Sequence, residues 1–179
     1  MKIGFDLDKI FIEHPPFIPD SVIELLYKKK ANGELLYRIP SFPEQLIRSA
    51  SHHPLLRPPM KNNMDFLRSL TEKKHSLYLI SSRFGFLKHQ TEELISRFEL
   101  AEIFDGMYFN FNNEQPHEFK NTIIKKLRLD IFVDDDLHLL KYVAKENKKT
   151  LFYWLHPKDP RKNISPNLIS IPTLPEIIT

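Results

Sequence analysis

Cysteine is missing from this 179-residue sequence. Its absence excludes disulfides, a thiolate nucleophile and a zinc–thiolate centre, and it fits a reducing, cytoplasmic setting. Long apolar runs are missing too. None approaches the ~20 residues that span a bilayer, and Asp6 and Asp8 interrupt what would be the apolar part of a leader peptide. No membrane partner is therefore expected. Strong charge of one sign is also lacking, since the formal net charge is only +3. The lysines grouped at 28–30, 73–74, 125–126 and 148–149 read as solvated helix ends rather than as a nucleic-acid footprint. A mild positive field favours a small anionic substrate. What is present in quantity is apolar residue, 41% of the chain, enough for a proper core. The length fits one domain with room for a small insertion. Nothing in the composition points to an oligomeric state.

The chemistry begins in the first dozen residues, MKIGFDLDKIFI. Ile3 and Phe5 alternate with smaller or polar residues, as in a short buried strand. Asp6 and Asp8 follow, one residue apart, and strand alternation would put both on one side. Two like charges that close repel unless a cation lies between them, and a divalent metal is the economical answer. Next comes EHPPFIPD, whose prolines make an irregular excursion. A helix is expected from Asp20 or Ser21 to Asn32-Gly33, then an extended LLYRIP, a helix over 43–50, and stiff His52-His53-Pro54 and Arg57-Pro58-Pro59 connections. Asn62 or Asn63 is the expected cap of a helix reaching Leu70.

From about His75 the rhythm becomes one of strand and helix in turn. Strands are expected at 77–80, 107–109, 131–133, 151–155 and 168–171, and helices at 86–98, 117–127 and 137–145, with a short helical end near Leu174. Trp154, on the fifth strand, reads as core. This alternation indicates an α/β fold: a three-layer, open, mainly parallel sheet with a small, partly helical cap inserted after the first strand. In such sheets, sites lie beyond the carboxyl ends of the strands. Asp6 and Asp8, Ser81, and Asp134-Asp135 all stand at strand ends. Converging there, they would suit magnesium, which takes oxygen ligands. One carboxylate would attack phosphorus, a second would handle the leaving-group proton, and a hydroxyl and a lysine would steady the phosphoryl oxygens.

These motifs resemble the haloacid dehalogenase superfamily of phosphohydrolases: Asp6-Leu7-Asp8 after one strand, Ser81 after a second, Lys120, and FVDDD after a later strand. LYLISSRFGFLKHQTEELI is similar to the second motif region of its nucleotidase-like branch, in which Arg closely follows the Ser or Thr and a later Thr opens the helix. Lys120 precedes Asp134 by fourteen residues, a spacing similar to the family's. The resemblance covers roughly residues 1–155 and implies a Rossmann-like core at 1–12 and 60–179, with a cap at 13–59. It implies Asp6 as nucleophile, Asp8 as general acid/base, Ser81 as phosphoryl ligand and Lys120 as charge neutraliser, with Ser82 and Arg83 toward substrate. The implied magnesium site is Asp6, Asp8, Asp134 and Asp135, Asp8 giving its backbone carbonyl. Asp136 is left to cap the next helix.

One departure stands out. The family usually has Gly after the second aspartate, and this chain has Lys9, which would either project away or enter the site. Within the cap, His14, Arg38, His52, His53 and Arg57 are candidates to touch substrate; Phe17 there, and Phe84 and Phe86 beyond it, are candidates to stack on a base. The expected function is a magnesium-dependent phosphomonoester hydrolase acting through an aspartyl-phosphate on a small phosphorylated metabolite such as a nucleotide. The alternatives are a weak or inactive binding or regulatory protein of the same fold, and an enzyme removing phosphate from nucleic-acid ends.

Overall fold

The computed structural model describes residues 1–14, 28–31 and 34–178. In chain order the elements are β1 (Lys2–Phe5), β2 (Lys28–Ala31), β3 (Glu34–Tyr37), α1 (Phe42–Ser51), α2 (Lys61–Glu72), β4 (Ser76–Ser81), α3 (Lys88–Arg97), β5 (Gly106–Phe109), α4 (Pro116–Leu127), β6 (Ile131–Asp134), α5 (Leu137–Glu146), β7 (Leu151–Leu155), β8 (Lys162–Ser165) and β9 (Leu168–Ile171). Seven strands form one open sheet in the order β5-β4-β1-β6-β7-β9-β8. Every neighbouring pair is parallel except β8 with β9. Strands β2 and β3 form a separate antiparallel pair between β1 and α2 in sequence.

Alternation along the central strands builds two cores. Ile3 and Phe5 of β1, Leu77 and Leu79 of β4, and Ile131 and Val133 of β6 pack on one face with Met64, Leu67 and Leu70 of α2 and Leu94 of α3. Ile80 and Phe132 point to the other face, toward Ile123 and Ile124 of α4 and Leu140 and Val143 of α5. Gly4 belongs to this second face. A β-carbon there would lie 2.5 Å from Leu129 Cδ1 and 3.0 Å from Phe132 Cδ2, so any larger residue would force Leu129 to move. Helix starts follow local chemistry. Ser41 and Glu44 form a capping box on α1, Pro116 opens α4, and the Asp136 side chain accepts from His138 N and Leu139 N at the start of α5.

The strands and helices expected from His75 onward are present within a residue or two of their ends, as are the extended segment and the helix before them. Elsewhere the structure differs. Lys28–Ala31 is strand, not the end of a helix; it pairs with Glu34–Tyr37 on the far side of Asn32-Gly33, a dipeptide typical of hairpins. The helix expected over 21–27 lies outside the described residues. Helix α2 starts two or three residues earlier than asparagine capping suggested, with Met60 as its cap; Asn63 instead donates to Ile10 O at 2.6 Å. Strand β8 was not anticipated, because KNIS is polar and sits exposed at the sheet edge, where alternation has nothing to bury. Trp154 is half-buried rather than core, and its indole donates to Asp135 O at 2.9 Å. Among the described residues no helix is long and apolar enough to cross a membrane.

Candidate functional site

Strands β4, β1 and β6 are adjacent and parallel, so their carboxyl ends open on one rim. Asp6 leaves β1 there, its backbone N donating to Val133 O at 2.9 Å. Asp134 ends β6. Both have the sequence parity of Gly4 and Phe132, which face α4, and this is why an α4 side chain can reach them. Lys120 does so from inside the protein, donating to Asp6 Oδ1 at 2.8 Å and to Asp134 Oδ2 at 2.7 Å. Carboxylate oxygens of Asp6, Asp134 and Asp135 all lie within 4.8 Å of one another. Burial pushes the Asp6 carboxyl up to about 7, against the pull of Lys120 and with the push of Asp134 and Asp8. Burial likewise raises Asp134; burial and then the charges of Asp134 and Asp6 raise Asp135 well above its ordinary value. Lys120 is raised despite its burial, by the same two carboxylates that it binds.

This donor set fits magnesium. Three hard oxygen donors crowd one point, and their repulsion is only partly relieved by ammonium groups. One of those groups is Lys9. Its backbone is left-handed, with φ 58°, the conformation in which glycine has no steric cost. Its Nζ lies 3.6 Å from Asp135 Oδ2. Lys9 therefore enters the site; it does not project away.

Asp8 parts company with Asp6. Strand β1 ends at Phe5, so alternation no longer governs the pair, and the chain turns back on itself through Phe11 N to Leu7 O and Lys9 N to Ile12 O. The Asp8 carboxylate lies outside the three-carboxylate cluster. Arg83 donates to it twice, Nε to Oδ2 at 2.8 Å and Nη2 to Oδ1 at 2.7 Å, and Arg57 Nη2 adds a bond to Oδ1 at 3.0 Å. Burial opposes ionisation of Asp8, yet Arg83 and Arg57 hold it well below the usual carboxylate range. Among the described residues, its neutralising charge comes from Arg83 and Arg57.

The other expected residues fall as follows. Ser81 ends β4, buried, on the same rim. Ser82 is half-buried, and its hydroxyl reaches Pro116 O at 3.5 Å. Thr91, fully buried in α3, accepts from Arg83 Nη1 at 3.3 Å and donates to Leu87 O. Arg57 comes to the site, and His14 accepts from its Nη1 at 2.8 Å. His52 is buried, its Nδ1 bonding Arg48 O at 2.8 Å. Arg38 and His53 serve local structure, the first pairing with Glu44 and the second accepting from Leu55 N. Phe84 is core, Phe86 is half-buried under Arg48, and Phe17 lies outside the described residues. Two contributors were not anticipated. Arg48 is buried in α1, where the sequence shows an ordinary helix-face arginine. Tyr37 donates to Asp136 Oδ2 at 2.7 Å and ties β3 to the loop that carries Asp134 and Asp135, in a stretch that reads only as extended.

No family model matches the chain, and no curated protein is similar to it in sequence. Solved structures are similar in shape. The hydrolase YfnB of Bacillus subtilis, a haloacid dehalogenase-type protein bound to magnesium, superposes with a TM-score of 0.63 at 12% identity, over 98% of this chain and 96% of its own. A haloacid dehalogenase-superfamily hydrolase of Ehrlichia chaffeensis gives 0.57 at 13% identity, over 98% and 93%. A family enzyme of Bacteroides thetaiotaomicron, in complex with magnesium and inorganic phosphate, gives 0.56 at 12% identity, over 88% and 95%. The central parallel sheet, the flanking helices and these likenesses together give the chain the haloacid dehalogenase-like fold.

Proposed function

We propose that the protein is a magnesium-dependent phosphomonoester hydrolase that works through an aspartyl-phosphate on Asp6. The observation that carries this reading is Asp6 bound through one oxygen by Lys120, with Asp134 and Asp135 within 4.8 Å of it. Its Oδ2 accepts no hydrogen bond among the described residues and is the oxygen that would attack phosphorus. Lys120 holds Asp6 and Asp134 in register and offsets charge as the phosphoryl group arrives. Ser81, on the next strand end, would bind a phosphoryl oxygen. A divalent cation held by Asp6, Asp134, Asp135 and the Asp8 carbonyl would supply the positive charge that keeps Asp6 ionised and screens the phosphoryl oxygens. Asp8 would protonate the leaving oxygen, for which it must first come off the arginines. The magnesium and phosphate bound by the Bacteroides structure support the same chemistry.

The finer parts belong to this proposal as well. The Ser81, Arg83 and Thr91 series supports a nucleotidase-like relationship, since Arg83 bonds Thr91. Residues 13–59 would form the cap and the remainder the core, with a small phosphorylated metabolite between them. Phosphate release from an aryl phosphate, dependent on magnesium and lost in Asp6→Asn, tests the reading. Absence of release across a broad panel of phosphate esters with magnesium overturns it. One observation favours a second reading, a weak or inactive binding protein: the Asp8 carboxylate is held by three arginine hydrogen bonds, an arrangement that suits an ion pair better than an acid. Inactivity on that panel with retained magnesium binding is its signature.

A further inference from the structure

Arg57 and Arg83 reach Asp8 from separate parts of the chain, one from the connection before α2 and the other from just beyond β4. Both are buried, with 1% and 5% of their surface exposed. A guanidinium carries five N–H donors. Arg57 uses three, to Glu13 O, His14 Nδ1 and Asp8 Oδ1. Arg83 also uses three, two to Asp8 and one to Thr91. Arg57 Nε is buried and has no hydrogen-bond partner among the described residues. Two guanidiniums therefore share one carboxylate, with donors left over. His52 lies beside them and is held neutral by burial and then by Arg57 and Arg83, so it neither adds to their positive charge nor offsets it. Arg48, buried too, feels both Asp8 and Arg57.

Buried positive charge in excess of its partner is costly, and buried donors without acceptors add to that cost. An anion placed across Arg57 and Arg83 would remove both penalties. The position is informative, because Asp8 is two residues from the proposed nucleophile, so an anion here would lie next to the phosphoryl group. We propose that the substrate carries, besides the phosphoryl group, a second anionic group, a carboxylate or a phosphate, and that Arg57 and Arg83 bind it beside Asp8. This substrate class rests on the phosphatase reading for its turnover but not for its binding. Engagement of the two arginines by that group would also draw them from Asp8, freeing its carboxylate only when such a substrate is present.

The test compares three probes with magnesium: ethyl phosphate, phosphoglycolate and propanediol bisphosphate. The doubly anionic esters are expected to exceed ethyl phosphate in kcat/KM by roughly 10- to 100-fold, the worth of one or two charge-assisted hydrogen bonds. Whichever leads distinguishes carboxylate from phosphate. Equal kcat/KM for all three overturns the inference and leaves the phosphatase reading intact. Binding is then measured by calorimetry on Asp6→Asn, where turnover cannot interfere. A similar preference is expected there, and Arg57→Gln in that background should abolish it. If Arg57→Gln does not fold, Arg83→Lys, which keeps the charge and loses the fork, should shrink the preference instead. Preferential binding without turnover of any ester supports the anion site and overturns the phosphatase reading; no preference in binding overturns the anion site.

Discussion

Arg83 grips Asp8 as a fork grips a bar, Nε on one carboxylate oxygen at 2.8 Å and Nη2 on the other at 2.7 Å, across 75 residues of sequence. Such bidentate, charge-assisted pairs are among the stronger polar contacts in proteins. Arg83 is buried and Asp8 half-buried, so removing Arg83 leaves Asp8 with Arg57 as its remaining guanidinium. Arg83→Met is expected to lower stability by about 1.5 to 3 kcal/mol, the worth of its hydrogen bonds to a charged group, read by urea unfolding. The double variant with Asp8→Asn should lose less than the sum of the singles, because each single already breaks the same bidentate pair. Additive losses would mean that the two side chains do not depend on each other.

The three-carboxylate cluster makes a separate prediction. Ionised together, Asp6, Asp134 and Asp135 repel, and a divalent ion among them should stabilise the fold. Magnesium at a hundred times its dissociation constant is expected to add about 2.7 kcal/mol, seen as a rise in Tm that a chelator reverses. Asp135→Asn should abolish that rise. It should also stabilise the metal-free protein at neutral pH, since its carboxyl is raised well above the ordinary value by burial and by Asp134 and Asp6. A Tm indifferent to magnesium in the wild-type protein would remove the metal from the site.

Lys9 carries two opposing consequences in one residue. Its left-handed backbone costs roughly 1 to 2 kcal/mol for a side chain with a β-carbon, while its ammonium offsets part of the charge on Asp135. Lys9→Gly should relieve the first and expose the second. The variant is expected to bind magnesium several-fold more tightly by calorimetry. Lys9→Met separates the effects, keeping the backbone cost while removing the charge, and should match Lys9→Gly in metal affinity but not in stability. Unchanged affinity in both would show that the ammonium does not oppose the metal.

The sheet was legible because its signal is local. Buried parallel strands read as short apolar runs, and the runs 77–80, 131–133 and 151–155 end within one residue of the strands. The rim carboxylates were legible for the same reason, as each follows such a run directly. The arginine cluster was legible only in part: Arg57 and Arg83 stood among the candidates, but Arg48 and the burial of Arg57 did not show. Nothing in RSASHHPLLRPP separates the buried Arg48 and Arg57 from solvent-facing arginines, because their burial is decided by Asp8 and Arg83, which come from distant parts of the chain. Alternation also misled for Asp8. It assumes that the strand continues, and the backbone leaves the sheet after Phe5. The hairpin of β2 and β3 was hidden by a lysine run with no apolar face, although Asn32-Gly33 signalled it.

That same cluster sets how the protein answers to acid. His52 is buried against the arginines; burial and then Arg57 and Arg83 hold its imidazole well below the ordinary histidine range, with Asp8 and the Arg48 carbonyl pulling the other way. In the unfolded chain His52 takes a proton near pH 6.5, and in the folded protein it does not. The unfolded state therefore binds more protons below that value, and stability falls with pH there, by about 1.4 kcal/mol per unit for this one group. Asp8 stays ionised throughout this window, because its own value is depressed. Equilibrium unfolding between about pH 7.5 and pH 5.5 is expected to show the wild-type protein losing stability faster than His52→Asn, whose amide keeps a donor for the Arg48 carbonyl and cannot titrate. His75 and His117 are also lowered by burial, so a slope will persist in the variant. The difference between the two slopes isolates His52, and parallel slopes would mean that the folded protein accepts a proton beside its arginines.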